Sequence, residues 1–262
     1  MRDAIGPYKL LERTGEDALG ETYRARDTAR GRTAFVRLIH PWIAADRAKR
    51  AALTADCHRA ITVSHPSVAA LFDIVDEGDD LALVHEHVEG RSLAATLGGT
   101  ALNPRMAVAI GIQLADGLAE LHAHEIAHGD VDAAKVIITP RGQAKLVDAG
   151  LTTWLGAERG ESDIAADIVA MGRLMSSMVG TTLPRAQWAD DLREAIDRTR
   201  PDHARRYEAI ATLAAELRSV SAMLEARAEA LPAAPAASAK SVVMWAVITV
   251  VLLLLGAWFL LL

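Results

Sequence analysis

The stretch HGDVDAAKVIITPRGQAKLVDAG, residues 128–150, places two short apolar runs, Val136–Ile138 and Ala144–Val147, on either side of Thr139-Pro140-Arg141-Gly142. Apolar runs separated by a turn containing proline and glycine predict a β-hairpin. Asp130 precedes the first run and Asp148 follows the second. Both ends of a hairpin lie on the same side, so the two carboxylates are expected to face one small volume.

At 262 residues the chain can hold one large domain or two lobes around a cleft. Its formal charge of −6 resides entirely before residue 241. A mildly acidic body argues against non-specific nucleic-acid binding. The single cysteine, Cys57, excludes an internal disulfide and suits a reducing compartment. The opening MRDAIGPYKLLE has no apolar core that would direct export. The far end differs: residues 241–262, SVVMWAVITVVLLLLGAWFLLL, carry no charge. As a helix they would span roughly 33 Å at ~1.5 Å per residue, against a hydrocarbon core of about 30 Å. The expectation is a single-pass transmembrane anchor, with Lys240 at its start and the body on the cytoplasmic side of the cell membrane.

The 128–150 stretch resembles the catalytic and metal-binding loops of protein kinases, in particular bacterial serine/threonine kinases. That family carries His-Arg-Asp-Leu-Lys-Pro-x-Asn, a hairpin, then Asp-Phe-Gly. The same frame here reads His128-Gly129-Asp130-Val131-Asp132-Ala133-Ala134-Lys135, with Asp148-Ala149-Gly150 after the hairpin. The resemblance covers about residues 5–218. It implies an α+β, bilobal protein-kinase-like fold, with a β-rich N-lobe over 5–88 and a helical, truncated C-lobe over 89–218. An Ala/Pro linker over 219–240 and the transmembrane helix over 241–262 complete the expected organisation.

Within the N-lobe, strands are expected over Tyr8–Glu12, Thr22–Arg26 and Thr33–Ile39. The first two flank GEDALG, where the family has a glycine-rich loop whose amides approach nucleotide phosphates. Gly15 and Gly20 match that pattern, and the middle glycine is Asp17. A carboxylate beside phosphates would be repelled, by about 4 kcal/mol for charges ~4 Å apart at an effective dielectric of 20. The family's Val-Ala-Ile-Lys aligns with Ala34-Phe35-Val36-Arg37, which replaces the phosphate-pairing lysine by a wider, planar cation. Phe35 stands where alanine packs on adenine. Either its ring takes space the base would need or, with the alternation slipped by one residue, it faces the lobe interior. A helix over Asp46–Ala60 offers Ala52, Leu53, Ala55 and Ala60 for burial. The family's ion-pairing glutamate falls on Asp56, so an Arg37–Asp56 pair is feasible. Strands over Val68–Val75 and Leu81–Val88 lead into the inter-lobe hinge HEHVEGRSL, with His85 at its start. The resemblance places Glu86 and Val88 beside the nucleotide. No ligands at suitable spacing join His85 and His87 in a metal site.

Asn103-Pro104 is a helix start, a cap residue followed by proline. Met106, Ile110, Leu114, Leu118 and Leu121 then recur at the spacing of a core-facing helix. Asp167 would brace the catalytic loop from the central C-lobe helix. Residues 149–166 are too few for a full activation segment, and no Ala-Pro-Glu motif is present.

Phosphoryl transfer needs a base or orienting residue, metal ligands, phosphate-cradling amides and a lysine. Asp130 occupies the base position and Asp148 that of a metal ligand. Lys135 replaces the asparagine that would be the second ligand, and an ammonium offers no lone pair. Asp132 replaces the catalytic-loop lysine, with the wrong sign, and Ala149 replaces a packing phenylalanine. These departures favour a membrane-tethered pseudokinase that binds other proteins as a scaffold or regulator in signalling, with no cofactor and phosphoryl transfer lost or very weak. One alternative is a degenerate but active serine/threonine kinase using ATP and Mg2+ through Asp130, Asp148 and Arg37. The other is a nucleotide-sensing switch without transfer. Lys135 is expected to pair with Asp148 or Asp130.

Overall fold

Strand alternation decides which side of the N-terminal sheet becomes core. The computed structural model describes residues 3–151 and 164–230. Met1–Ala222 is one compact unit; of a second, Met223–Leu262, residues 223–230 are described, as helix. Strands β1 (Ala4–Ile5), β2 (Tyr8–Glu16), β3 (Gly20–Asp27), β4 (Arg32–Ile39), β5 (Leu71–Glu77) and β6 (Asp80–Glu86) form an antiparallel sheet in the order β1-β2-β3-β4-β6-β5. Along β4, Ala34 and Val36 are buried on one face with Tyr8, Tyr23 and Val84. The opposite face carries Arg37 and Ile39, and Ile39 joins a second cluster with Leu19, Leu53, Leu83 and Leu151. The period of two thus sends a cation and a core residue to the same side.

Between β4 and β5 lie the short α1 (Pro41–Ala44) and α2 (Arg47–Ile61). Asp46 caps α2, its carboxylate accepting the N–H groups of Ala48 and Lys49 at 3.0 and 3.1 Å. Leu53 and Cys57 are the residues α2 buries, whereas Ala55, expected on that side, is exposed. A single narrow ridge of α2 meets the sheet.

The expected hairpin forms as β8 (Val136–Ile138) and β9 (Ala144–Leu146), joined by β7 (Arg91–Ser92) in a sheet of order β7-β8-β9. Its turn closes through the Gly142 N–H to the Thr139 carbonyl at 2.9 Å, with Gly142 at φ 78°. Strand β6 ends at Glu86, two residues short of the expected Val88, and the chain then bends into the hinge. At Gly90 the hinge passes so close to β8 that a Cβ would lie 2.3 Å from the Ile138 carbonyl oxygen. The hairpin also bonds the chain leading into β5: the Ala69 N–H donates to the Leu146 carbonyl and the Leu146 N–H to the Ser67 carbonyl, each at 2.8 Å.

The second lobe is helical: α3 (Leu93–Leu97), α4 (Pro104–Ala123), α5 (Ile164–Val179), α6 (Gln187–Asp197) and α7 (Ile210–Ala230). Asn103 caps α4 by accepting the Arg105 N–H at 2.9 Å. Ile110, Leu114, Leu118 and Leu121 are buried as the periodicity requires. Met106 is not; it is 53% exposed, because the first turn of α4 buries Ala107 and Val108 instead. The bilobal fold with a β-rich first lobe is therefore present. Residues 219–230 of the expected linker are helical. The remaining linker, the anchor over 241–262 and most of 149–166 lie outside the described residues. Among the described residues, no helix is long and apolar enough to cross a membrane.

Gly20 owes its place to packing. A Cβ there would lie 1.9 Å from the Leu38 carbonyl oxygen, where β3 and β4 pair. Gly20→Ala is expected to lower the unfolding free energy by about 2–3 kcal/mol, the upper part of the overpacking range. Urea denaturation checks this; a loss within ~0.5 kcal/mol would show that the strands separate without penalty.

Candidate functional site

The ends of the hairpin are set by a buried carboxylate that reaches across from α5. Asp167 is 1% exposed and accepts the backbone N–H groups of His128 and Gly129, each at 2.8 Å. Its Oδ2 also lies 2.8 Å from His122 Nε2. His128 then spans the hairpin: Nδ1 accepts the Asp130 N–H at 3.2 Å and Nε2 donates to the Val147 carbonyl at 3.1 Å. Burial lowers the pKa of His128, while Asp167, the Val147 carbonyl, Asp148 and Asp130 oppose that shift. The ring is neutral at pH 7, with its proton on Nε2. The backbone at the two ends of the hairpin thus converges on one histidine.

The two carboxylates meet different fates. Asp130 is half-buried, and its side chain has no hydrogen-bond partner among the described residues. Asp148, at φ 62°, lies between two cations. Arg37 Nη2 donates to its Oδ1 at 3.1 Å and Lys135 Nζ to its Oδ2 at 2.6 Å. Of the two carboxylates open to Lys135, it takes Asp148. Burial raises the pKa of Asp148, but Arg37 and Lys135 outweigh it and hold the group below the usual carboxylate range. Asp132 accepts the Ala134 N–H at 2.7 Å and caps the 3-10 turn Ala133–Lys135 that presents Lys135.

Arg37 does not use Asp56. Its Nη2 instead contacts Asp17 Oδ2 at 3.0 Å as well as Asp148. Asp56 pairs along its own helix with Arg59 at 2.7 Å, because Cys57 rather than Asp56 turns into the core. Asp17 points inward. Its Oδ1 accepts the N–H groups of Leu19 and Gly20 at 2.9 and 3.2 Å, and Leu19 is fully buried. The loop Gly15–Gly20 is held down further by His40, whose N–H donates to the Leu19 carbonyl at 2.8 Å and whose Nε2 donates to the Asp17 carbonyl at 3.0 Å. Phe35 is half-buried, on the Arg37 face of β4, and stands outside the cluster that takes Ala34 and Val36. Glu86 is held by Lys145 at 2.6 and 2.7 Å, and Val88 is half-buried beyond the strand.

Sequence reasoning missed the inward turn of Asp17, the burial of Leu19, the clamp by His40 and the Glu86–Lys145 pair. A usable signal lay in the loop itself: aspartate two residues before an amide commonly accepts from it.

A family model described as Protein kinase domain matches residues 8–195. The chain belongs to the protein kinase domain family. Among curated relatives, it is 30% identical over 175 residues to a serine/threonine-protein kinase, pkn2, of Myxococcus xanthus, covering 66% of this chain and 20% of the relative. It is 31% identical over 159 residues to the serine/threonine-protein kinase PknD of Mycobacterium tuberculosis, covering 58% and 24%. The chain therefore spans about a fifth to a quarter of the length of these relatives. In fold it resembles the Mycobacterium tuberculosis PknI kinase domain at TM-score 0.67 and 19% identity, covering 84% of this chain and 99% of that one.

With the kinase frame established, the donor set can be tested against magnesium. Both Asp148 oxygens bond to cations, and the neighbouring ligand position carries an ammonium. Lys135 has no lone pair to give and its charge opposes a divalent ion. The residues present do not fit the metal.

His85, at the hinge, is buried with its Nε2 unpartnered among the described residues. Burial, then repulsion from Arg37, pushes its pKa down from 6.5 to about 4, with Asp148 opposing. The unfolded chain therefore takes up a proton below pH 6.5 that the folded chain refuses. Stability is expected to fall by about 3 kcal/mol as pH drops from 6.5 to 4. His85→Met should remove that contribution and leave what the lowered pKa of His128 adds to it. Urea midpoints at pH 7 and 4.5 check it; an unchanged pH slope in the variant contradicts it.

Proposed function

We propose that this protein is a pseudokinase, a protein-binding scaffold or regulator in signalling whose capacity for phosphoryl transfer is lost or very weak. The observation that carries this reading is the ionic chain Asp17–Arg37–Asp148–Lys135. Each side chain that would meet phosphate or metal in the cleft already bonds to another of the same set. Opening this chain for a nucleotide exposes charges with buried partners, and removing one partner of a buried pair costs roughly 3–5 kcal/mol. Tethering through residues 241–262 would concentrate the protein at a cell membrane, with its kinase-like body in the cytoplasm.

A second reading, an active serine/threonine kinase, draws on Asp130. Its carboxylate is unengaged among the described residues, in the position of a catalytic base, and the loop that carries it is braced by Asp167. Named relatives are serine/threonine-protein kinases. A magnesium–ATP titration of the full chain separates the readings. A ligand at 100 times its dissociation constant stabilises by ~2.7 kcal/mol. The expected result is no rise in Tm with magnesium and ATP, and no phosphate transferred to a generic acceptor protein. A saturable rise that requires magnesium would sink the pseudokinase reading.

A further inference from the structure

We infer that the face formed by α1 and the first turn of α2, with Trp42 at its centre, rests on the surface of an anionic lipid bilayer. This deepens the membrane tethering through residues 241–262 and rests on it. Trp42 is 63% exposed, more than any other large apolar side chain among the described residues. Ile43 and Ala44 turn into the core, so the short α1 directs the indole outward. One face of the indole stacks on His40, with ring centroids 3.8 Å apart and planes 17° from parallel. His40 is buried and tied to the Asp17 carbonyl at 3.0 Å. The indole is thus fixed on one side and open to solvent on the other. A side chain held in this way loses little freedom on docking. Tryptophan is also the residue type enriched where protein meets the headgroup layer.

Charge selects the kind of surface. Pro41 and Ala45 beside the indole are exposed, and the exposed Arg47 and Lys49 follow within one turn. Arg47 has no ion-pair or hydrogen-bond partner among the described residues. Lys49 lies 4.0 Å from Asp46, but that carboxylate already accepts the Ala48 and Lys49 amides as the cap of α2. Glu16, 3.7 Å from His40, is paired with Arg13. The face therefore offers an aromatic ring and two cations, and both neighbouring carboxylates are engaged.

The rest of the surface gives the contact its direction. With a formal charge of −6, the chain as a whole is repelled by a negative leaflet. Only a locally positive face can approach, and lysine and arginine are drawn in once they come within a Debye length. A tether through residues 241–262 would keep a bilayer within reach at all times, whereas a soluble partner must be recruited from dilution. The bilayer is therefore the occupant this face fits best.

The test reconstitutes the full chain in vesicles of phosphatidylcholine, alone or equimolar with phosphatidylglycerol. Acyl chains brominated close to the headgroups quench any tryptophan that reaches them. The chain has five tryptophans, so Trp42 is read as the difference between the parent and Trp42→Phe. Trp245 and Trp258, within residues 241–262, report the tether in the same spectra. In anionic vesicles the Trp42 emission should fall roughly twofold or more, and in neutral vesicles it should not. Arg47→Glu combined with Lys49→Glu should restore the emission, as should salt at about 1 M, where the Debye length is ~3 Å. Acidic residues are favoured in the first turn of a helix, so this double variant should fold, which far-UV circular dichroism verifies. Quenching of Trp245 and Trp258 with Trp42 left bright overturns the inference and leaves the tether standing; the face then belongs to a protein partner. Equal quenching of Trp42 in neutral vesicles also overturns it, because charge would then play no part. Quenching of Trp42 alone upholds the docking face and sinks the tether. Absence of quenching at all three tryptophans overturns both.

Discussion

The carboxylate of Asp148 between Arg37 and Lys135 is the interaction on which the cleft depends. It joins a strand of the first lobe to the turn that ends the catalytic loop, and through Arg37 it reaches the Asp17 loop. Three of these groups are largely shielded from water, so each relies on its neighbours for the solvation it has lost. Buried ion pairs seldom stabilise a fold more than apolar packing would. Their effect here is on shape: with opposite charges alternating, the loop, strand and hairpin end have one low-energy arrangement.

A second set of contacts supports this chain without sharing its charge balance. Asp167 holds the His128 and Gly129 amides, His128 bridges Asp130 and Val147, and Gly20 permits β3 to meet β4. Of these, Asp167, His128, Asp130 and Gly20 match the kinase frame, and each bonds or packs against backbone. Asp17, Arg37, Asp132, Lys135 and Ala149 depart from it, at positions where the family meets ligand or closes the site. Asp132 illustrates the reuse: with the wrong charge for transfer, it caps the turn that presents Lys135. Backbone satisfaction is needed by any occupant of this fold, whereas ligand chemistry is needed only if the ligand is used.

Much of the frame was legible because its signals are local. The hairpin, the Asn103-Pro104 helix start and the buried face of α4 follow from turn chemistry and periodicity within a few residues. The resemblance placed Asp130, Asp148 and Asp167. Met106 was misplaced because periodicity marks a face but not how far a neighbour covers it. The Arg37–Asp56 pair failed for a related reason: aligning a position on α2 does not fix the helix rotation, and that rotation brought Cys57 to the core.

Sequence alone determined that the chain would build a kinase frame, bring two acidic residues to the ends of one hairpin, and set a lysine where magnesium would need a ligand. Tertiary structure decided which charges meet. Asp17 could have pointed to solvent, Arg37 could have turned to α2, and Lys135 could have taken Asp130. Secondary structure arises from short-range periods and turns, which the order of residues encodes directly. Ion pairing depends on separations of a few ångströms between groups far apart in the chain, 111 residues for Arg37 and Asp148, and those exist only once both lobes are packed.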